Sequence, residues 1–250
     1  MPLPTIATPT YELELPSSKQ LLNYRPFLVK EEKLLVLALE SEDTKQITTA
    51  IKTVIKSCIL TKGIKVENLP TFDIEYLFLN IRGKSVGEDV EVNLIAPDDN
   101  ETSVPVTIAI DEIKVTENED HTKQIKVDND LMMDMKYPSL DQFIKSNFDF
   151  KEENNMERSF DLIASCIDKI YNEEEVWSTA DCTKKEVVNF LEQMNSAQFK
   201  EIETFFETMP KLSHAVDIVN PNTKKKSTVV LEGLSSFSRR HDPYGSRELL

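Results

Sequence analysis

The chain has 250 residues, an apolar fraction of 40% and a formal net charge of −15. That length can bury a core without disulfides or metal, and the acidic balance opposes binding to phosphate backbones and to anionic membrane surfaces. Five glycines argue against phosphate loops and dinucleotide folds, which bring bare backbone against a ligand.

Tyr11-Glu12-Leu13-Glu14-Leu15 alternates with period two, as a half-buried strand does. Phe27 to Val29 and Leu34 to Leu39 are apolar strand candidates, with Glu31-Glu32 as a hairpin turn between them, although the leucines suit a helix as readily. Ile47, Ile51, Val54, Ile55 and Cys58 then fall at helical spacing, and Gly63 offers a helix stop. A second helix is predicted from about Thr71 to Arg82, with Ile74, Leu77, Phe78 and Ile81 on one face.

The middle of the chain reads as a sheet. Val90, Val92 and Leu94 alternate with polar residues, Ala96-Pro97-Asp98-Asp99-Asn100-Glu101 forms a turn, and Val104, Val106, Ile108 and Ile110 return, continuing through Ile113 and Val115. Glu117 to Asp120 is a solvated acidic loop, and Gln124 to Val127 a further strand. Beyond Pro138 the pattern turns helical: Phe160, Ile163, Ala164, Ile167, Ile170 and Tyr171 make one stripe. Thr183-Lys184-Lys185-Glu186 has the form of a capping box, opening a helix that buries Val187, Leu191 and Met194. Phe199, Ile202, Phe205, Phe206 and Met209 mark the next helix, which Pro210 ends. A last hairpin pairs Ala215 to Val219 with Thr228 to Leu231 around Pro221-Asn222. The two hairpins resemble each other, and no other internal repeat is visible.

The expected fold class is α+β: antiparallel hairpins packed with amphipathic helices, and a helical C-terminal half ending in a small hairpin. The expected organisation is an N-terminal arm (1–23), a mixed part with the central hairpin (24–148), a helical part with the terminal hairpin (149–237) and a basic tail expected to be disordered (238–250). Asp149 to Asn155 serves as a linker in this scheme.

Little in the sequence points to catalysis. His121, His214 and His241 have no partner four residues on, and HExxH, GxSxG and phosphate-loop motifs are absent. Cys58, Cys166 and Cys182 are widely spaced and odd in number, a poor disulfide framework; Cys58 and Cys166 sit among apolar residues, where Cys behaves as a small hydrophobe. Asp98, Asp99 and Glu101 lack the spaced oxygen ligands of a calcium loop and read as a polar hairpin tip. Lys224-Lys225-Lys226 has no aromatic neighbours for base stacking and reads as a solvated turn. No signal peptide and no apolar run of about 20 residues is seen. Trp177, beside Glu173-Glu174-Glu175, is either an interface anchor or a lid on the core. Phe205 and Phe206 are adjacent on a helix and cannot point the same way, so one of them is a candidate for a partner contact.

Several segments, in order, resemble one family. They are Leu79-Asn80-Ile81-Arg82-Gly83-Lys84-Ser85-Val86-Gly87-Glu88, Met135-Lys136-Tyr137-Pro138-Ser139, Ile163 to Ile170, Phe205 to Leu212 and Leu231-Glu232-Gly233-Leu234. Their order and spacing, from about Tyr24 to Phe237, resemble the T4-type bacteriophage baseplate hub and hub-assembly proteins. The resemblance implies a non-enzymatic hub subunit or assembly factor of a contractile tail. Its partners would be other hub and tail proteins, and it would work in the host cytoplasm during assembly or in the virion baseplate. Some relatives carry CxxC knuckles at the tips of the two hairpins. Here the tips read Ala96-Pro97-Asp98-Asp99 and Asn220-Pro221-Asn222-Thr223, so no zinc site or other cofactor is expected. The family's closing Gly-Leu-x-x-Phe-Phe pattern is here Gly233-Leu234-Ser235-Ser236-Phe237-Ser238, followed by Arg239 and Arg240. The alternatives are a degenerate zinc-ribbon-like metal domain using Asp98, Asp99, His121 or His214, and a nucleic-acid adaptor using the C-terminal arginines.

Overall fold

The computed structural model describes residues 6–41, 43–140 and 155–237. They form two compact units. The first runs to Thr116 and resumes at Lys211; the second is Glu117–Pro210.

The first unit opens with β1 (Tyr11–Glu14) and β2 (Leu21–Tyr24), paired antiparallel with Leu13 opposite Leu22, both buried. Residues 11–24, most of which fall in the expected arm, thus form a folded hairpin. It is tied down at its turn, where the Ser17 N–H and hydroxyl both donate to the buried carboxylate of Asp73. Next comes α1 (Val29–Glu40), a helix where two strands and a turn are the sequence expectation. The physical reason lies in Glu31. Its carboxylate accepts the Leu28 N–H at 2.7 Å, satisfying one of the free donors at a helix start, and it takes an ion pair from Arg25 Nη2 at 2.9 Å. The glutamate pair that resembles a turn is the first turn of the helix.

Helix α2 (Thr44–Cys58) buries Ile47, Ile51, Val54, Ile55 and Cys58, as its spacing predicts. It ends at Cys58; Gly63 lies beyond it in a turn, at φ +88°. Helix α3 (Thr71–Val86) extends past Arg82 and buries Phe72, Ile74, Leu77, Leu79 and Ile81, together with Asp73 and Glu75. Burial around most of its circumference makes it the central helix of this unit. Gly83 permits close packing there, since a Cβ would lie 2.9 Å from Ile110 Cδ1.

Strands β3 (Asp89–Ile95) and β4 (Ser103–Ala109) form the expected hairpin, with Val92 opposite Val106. It does not continue through Val115. A tight turn at Ile110–Glu112 redirects the chain, and β5 (Lys114–Thr116) joins a different sheet.

The second unit holds a four-stranded antiparallel sheet in the order β6 (Gln124–Lys126), β7 (Met132–Met135), β8 (Ile167–Tyr171), β9 (Val176–Ser178). Helices α4 (Asn155–Cys166), α5 (Lys184–Glu192) and α6 (Ser196–Thr208) complete it. Its core joins Ile125, Met133, Ile163, Cys166, Leu191, Ile202 and Phe205, among others. The stripe expected to be helical as far as Tyr171 breaks at Cys166, because pairing with β7 captures Ile167 to Tyr171. Two isoleucines three residues apart fit either element, and the tertiary partner decides. The capping box of Thr183 and Glu186 is present; Asn195 and Gln198 make a second at α6, where Gln198 Nε2 also donates to the Val127 carbonyl at 2.8 Å.

Back in the first unit, β10 (Lys211–Val219) lies between β5 and β11 (Lys226–Glu232), with Ala215 opposite Val230 as expected. Thr116 and Lys211 are direct partners, so the chain leaves and re-enters this unit side by side. Gly233, at φ +68°, then turns the chain into α7 (Leu234–Phe237). The fold is α+β. The first unit takes up the chain again at Lys211, within the part expected to run from 149 to 237. Residues 149–154 of the expected linker and the tail from 238 lie outside the described residues, and Asn155, the linker's last residue, opens α4.

Glu75 gives a test of the α3 environment. Its side chain is buried and accepts the Leu234 N–H at 3.3 Å, and burial raises its pKa from 4.5 to about 7. Because the folded state holds this proton more tightly than the unfolded one, the stability it carries is complete below pH 4.5 and is lost as pH rises through 7. Glu75→Gln should remove that slope and raise stability at pH 8 by up to about 3 kcal/mol. Urea denaturation at pH 5 and pH 8 measures it; a slope retained in the variant would assign it to another group.

Candidate functional site

The two hairpin tips meet. Each is built alike: a residue followed by Pro, two polar residues and a left-handed residue whose N–H closes back on the first carbonyl. In one tip Asn100 (φ +56°) donates to Ala96 O at 2.9 Å; in the other Lys224 (φ +61°) donates to Asn220 O at 2.9 Å. Asn and Lys tolerate this conformation at a cost that a tight turn offsets. Asn220 is the hinge of the contact. Its Nδ2 donates to Asp98 Oδ1 at 2.9 Å and Asp99 Oδ2 at 2.8 Å, while its Oδ1 accepts the N–H groups of Asn222 at 2.8 Å and Thr223 at 3.3 Å. This uses the full hydrogen-bonding capacity of a buried amide.

Around it, Thr223 donates its hydroxyl to Asp98, and Asn222 Nδ2 donates to Thr102 Oγ1 at 3.0 Å. The Thr223 hydroxyl and then the Asn220 amide hold Asp98 below the ordinary carboxylate range. The Thr102 hydroxyl, the N–H groups of Thr102 and Glu101, and Asn220 hold Asp99 further down. The tips are therefore clasped by ionised carboxylates and amide donors. Their lysines, Lys224 and Lys225, point to solvent as a hydrated turn.

The residues considered for metal chemistry are not assembled. Asp98 and Asp99 are engaged with Asn220; His214, on β10, faces Glu112 at 3.8 Å; His121 belongs to the second unit. No group of three or more His, Cys, Asp or Glu among the described residues is placed to hold a metal ion. His121 instead stacks with Tyr137 and lies against Phe205, at centroid distances of 5.6 and 5.2 Å; its Nδ1 meets Thr208 Oγ1 at 3.0 Å, and its Nε2 is buried without a hydrogen bond. Cys58 and Cys166 are buried, and burial pushes both thiols up to about 11, even though Arg25 Nη1 lies 3.9 Å from Cys58 Sγ. Cys182 is exposed. Residues 239 and 240 and His241 lie outside the described residues.

The three candidate contact residues separate. Trp177 stands on β9, one of the two edge strands of its sheet, and is 41% exposed beside exposed Val176. Phe205 is 2% exposed and belongs to the core, which corrects its candidacy as a contact: its place on α6 turns it under Tyr137 and His121. Phe206 is half-buried and meets Phe205 edge-on at 5.1 Å. The exposure of Val29, Leu34, Val36 and Leu37 on α1 escapes a sequence reading that makes the segment strands. Among the described residues, no helix is long and apolar enough to cross a membrane.

Two compact units, each with large apolar side chains left exposed at its own surface, define a protein suited to contact with other proteins. The chain belongs to the T4 bacteriophage base plate protein family, whose model matches residues 8–238. No curated protein and no solved structure matches it.

Asn220→Ala should cost about 1–3 kcal/mol in urea denaturation, and Asn220→Asp more, because it sets a third carboxylate against Asp98 and Asp99. A loss well under about 1 kcal/mol in Asn220→Ala would show that the amide donors do not hold the tips together. A second outcome concerns His121, whose pKa is lowered from 6.5 by burial and then by Lys123. Unfolding favours its protonation, so its contribution is present above pH 6.5 and is lost as pH falls through the lower folded value. Stability measured from pH 8 to 5 should fall more steeply for the native chain than for His121→Gln.

Proposed function

We propose that the chain helps to build the central hub of a contractile-tail baseplate by protein–protein contact, without a chemical step or a cofactor. It acts as a hub subunit or as a factor that promotes hub assembly, in the host cytoplasm during assembly and, as a subunit, in the tail itself. The observation that carries this reading is the family match across residues 8–238. The surface supports it: an exposed Trp on an outermost strand offers an aromatic anchor next to backbone that a partner segment can pair with. Trp177 is the principal contact, Phe206 a secondary one, and Phe205 holds Phe206 from beneath.

Co-expression with the other tail-hub proteins of the source phage, with mass spectrometry of purified complexes and finished virions, tests this. Recovery from virions identifies a subunit, and recovery from assembly intermediates alone identifies an assembly factor. Binding to none of those proteins overturns the proposal. Trp177→Ala should weaken the captured complex by about 2 kcal/mol, roughly thirtyfold in Kd, at unchanged melting temperature.

A further inference from the structure

The outward face of α1 is unusual for a chain this acidic. Val29, Lys30, Lys33, Leu34, Val36, Leu37 and Glu40 are all exposed, and at 100° per residue they fall within one arc of about 160°. Leu35, Ala38 and Glu31 occupy the opposite, buried side. Val29 is 78% and Leu37 53% exposed, so the apolar groups are presented to solvent and are not edges of the core. The charges on this arc are ordered: Lys30 and Lys33 stand in the N-terminal half, and Glu40 closes the C-terminal end.

We propose that α1 is a self-association surface on which two copies of the chain pair their α1 helices antiparallel. A two-fold axis between Val36 and Leu37 sets Lys33 of one copy opposite Glu40 of the other, twice, with Val36 and Leu37 meeting at the centre. Parallel pairing would set Lys30 and Lys33 against their own counterparts, so the charge order selects the antiparallel arrangement. The antiparallel arrangement also opposes the two helix dipoles favourably. With a net charge of −15, copies repel each other over most of their surface. This arc, with two lysines to one glutamate, is a place where two copies can approach. A helix of twelve residues is about 18 Å long, below the span of a standard stable interface, so the dimer is weak and forms at micromolar concentrations or above.

The test uses the purified full chain, so it does not depend on any hub partner. Sedimentation equilibrium up to about 200 µM should show a 28.6 kDa monomer converting to a dimer as concentration rises. Lys33→Glu should weaken association by about tenfold, because both symmetry-related pairs are lost together. Lys33→Glu combined with Glu40→Lys should restore it, since the pairs are re-formed with reversed sign. Leu37→Glu should abolish it at unchanged thermal stability, the side chain being exposed already. A chain that stays monomeric throughout overturns the proposal. So does association that survives Leu37→Glu, or a double reversal that fails to recover what Lys33→Glu loses.

Discussion

The antiparallel pairing of β5 with β10 is the constraint on which the chain's topology depends. Thr116 and Lys211 are direct partners, and the second unit is inserted in the sequence between them. Closing a loop of that length costs entropy that grows only slowly with its size, and a segment with a core of its own offsets the cost internally. Without the pairing, β10 and β11 would lose the strand that anchors them, and α7, which follows Gly233, would lose its place beside Glu75. The β5 register is short, three residue pairs, and is reinforced by a hydroxyl contact between Thr116 and Ser213. A short strand suffices because Leu212 beneath it is fully buried.

Polar groups within the first unit tie together what apolar packing alone would leave loosely specified. Glu31 receives Arg25 from beyond β2, the Leu28 N–H from the start of α1 and the Ser57 hydroxyl from α2 at 3.4 Å, so one carboxylate fixes three segments. Asp73 does the same for the β1–β2 turn through Ser17. At the hairpin tips Asn220 joins two turns that lie more than a hundred residues apart in the chain. Each is a buried or half-buried polar group that joins separate elements of the unit, and breaking one leaves its partners desolvated. Glu75 is the exception: a single backbone donor does not compensate its burial, so its proton affinity rises instead.

Much of this was legible from local patterns. Alternation marked β1, β3 and β4; helical spacing marked α2, α5 and α6; the capping signature at Thr183 was present atom for atom. The misread segments share a cause. Leu34 to Leu39 and Ile167 to Tyr171 are apolar runs in which helical and extended periods both fit, and what lies outside the run decides: the cap and ion pair at Glu31 for the first, pairing with β7 for the second. The clasp at the tips was visible as two similar turns, but their meeting was not, because Asp98 and Asn220 are joined only by tertiary structure. Trp177 and Phe205 show the same limit. Composition makes both candidates for a contact, and only burial separates the exposed one from the core one.

That separation bears on how such a chain works. A protein that acts through contact must keep apolar groups outside its core without aggregating, and net charge is the usual means. Here the acidic charge is spread over loops such as Glu117 to Asp120 and Glu173 to Glu175, all exposed, whereas the outward arc of α1 carries mostly apolar and basic side chains. Non-specific collapse between copies is disfavoured by repulsion, and contact is favoured only where charge and shape are both satisfied. The acidity that opposes binding to phosphate backbones and anionic membranes is thus the same property that opposes non-specific association of copies exposing Leu37 and Trp177.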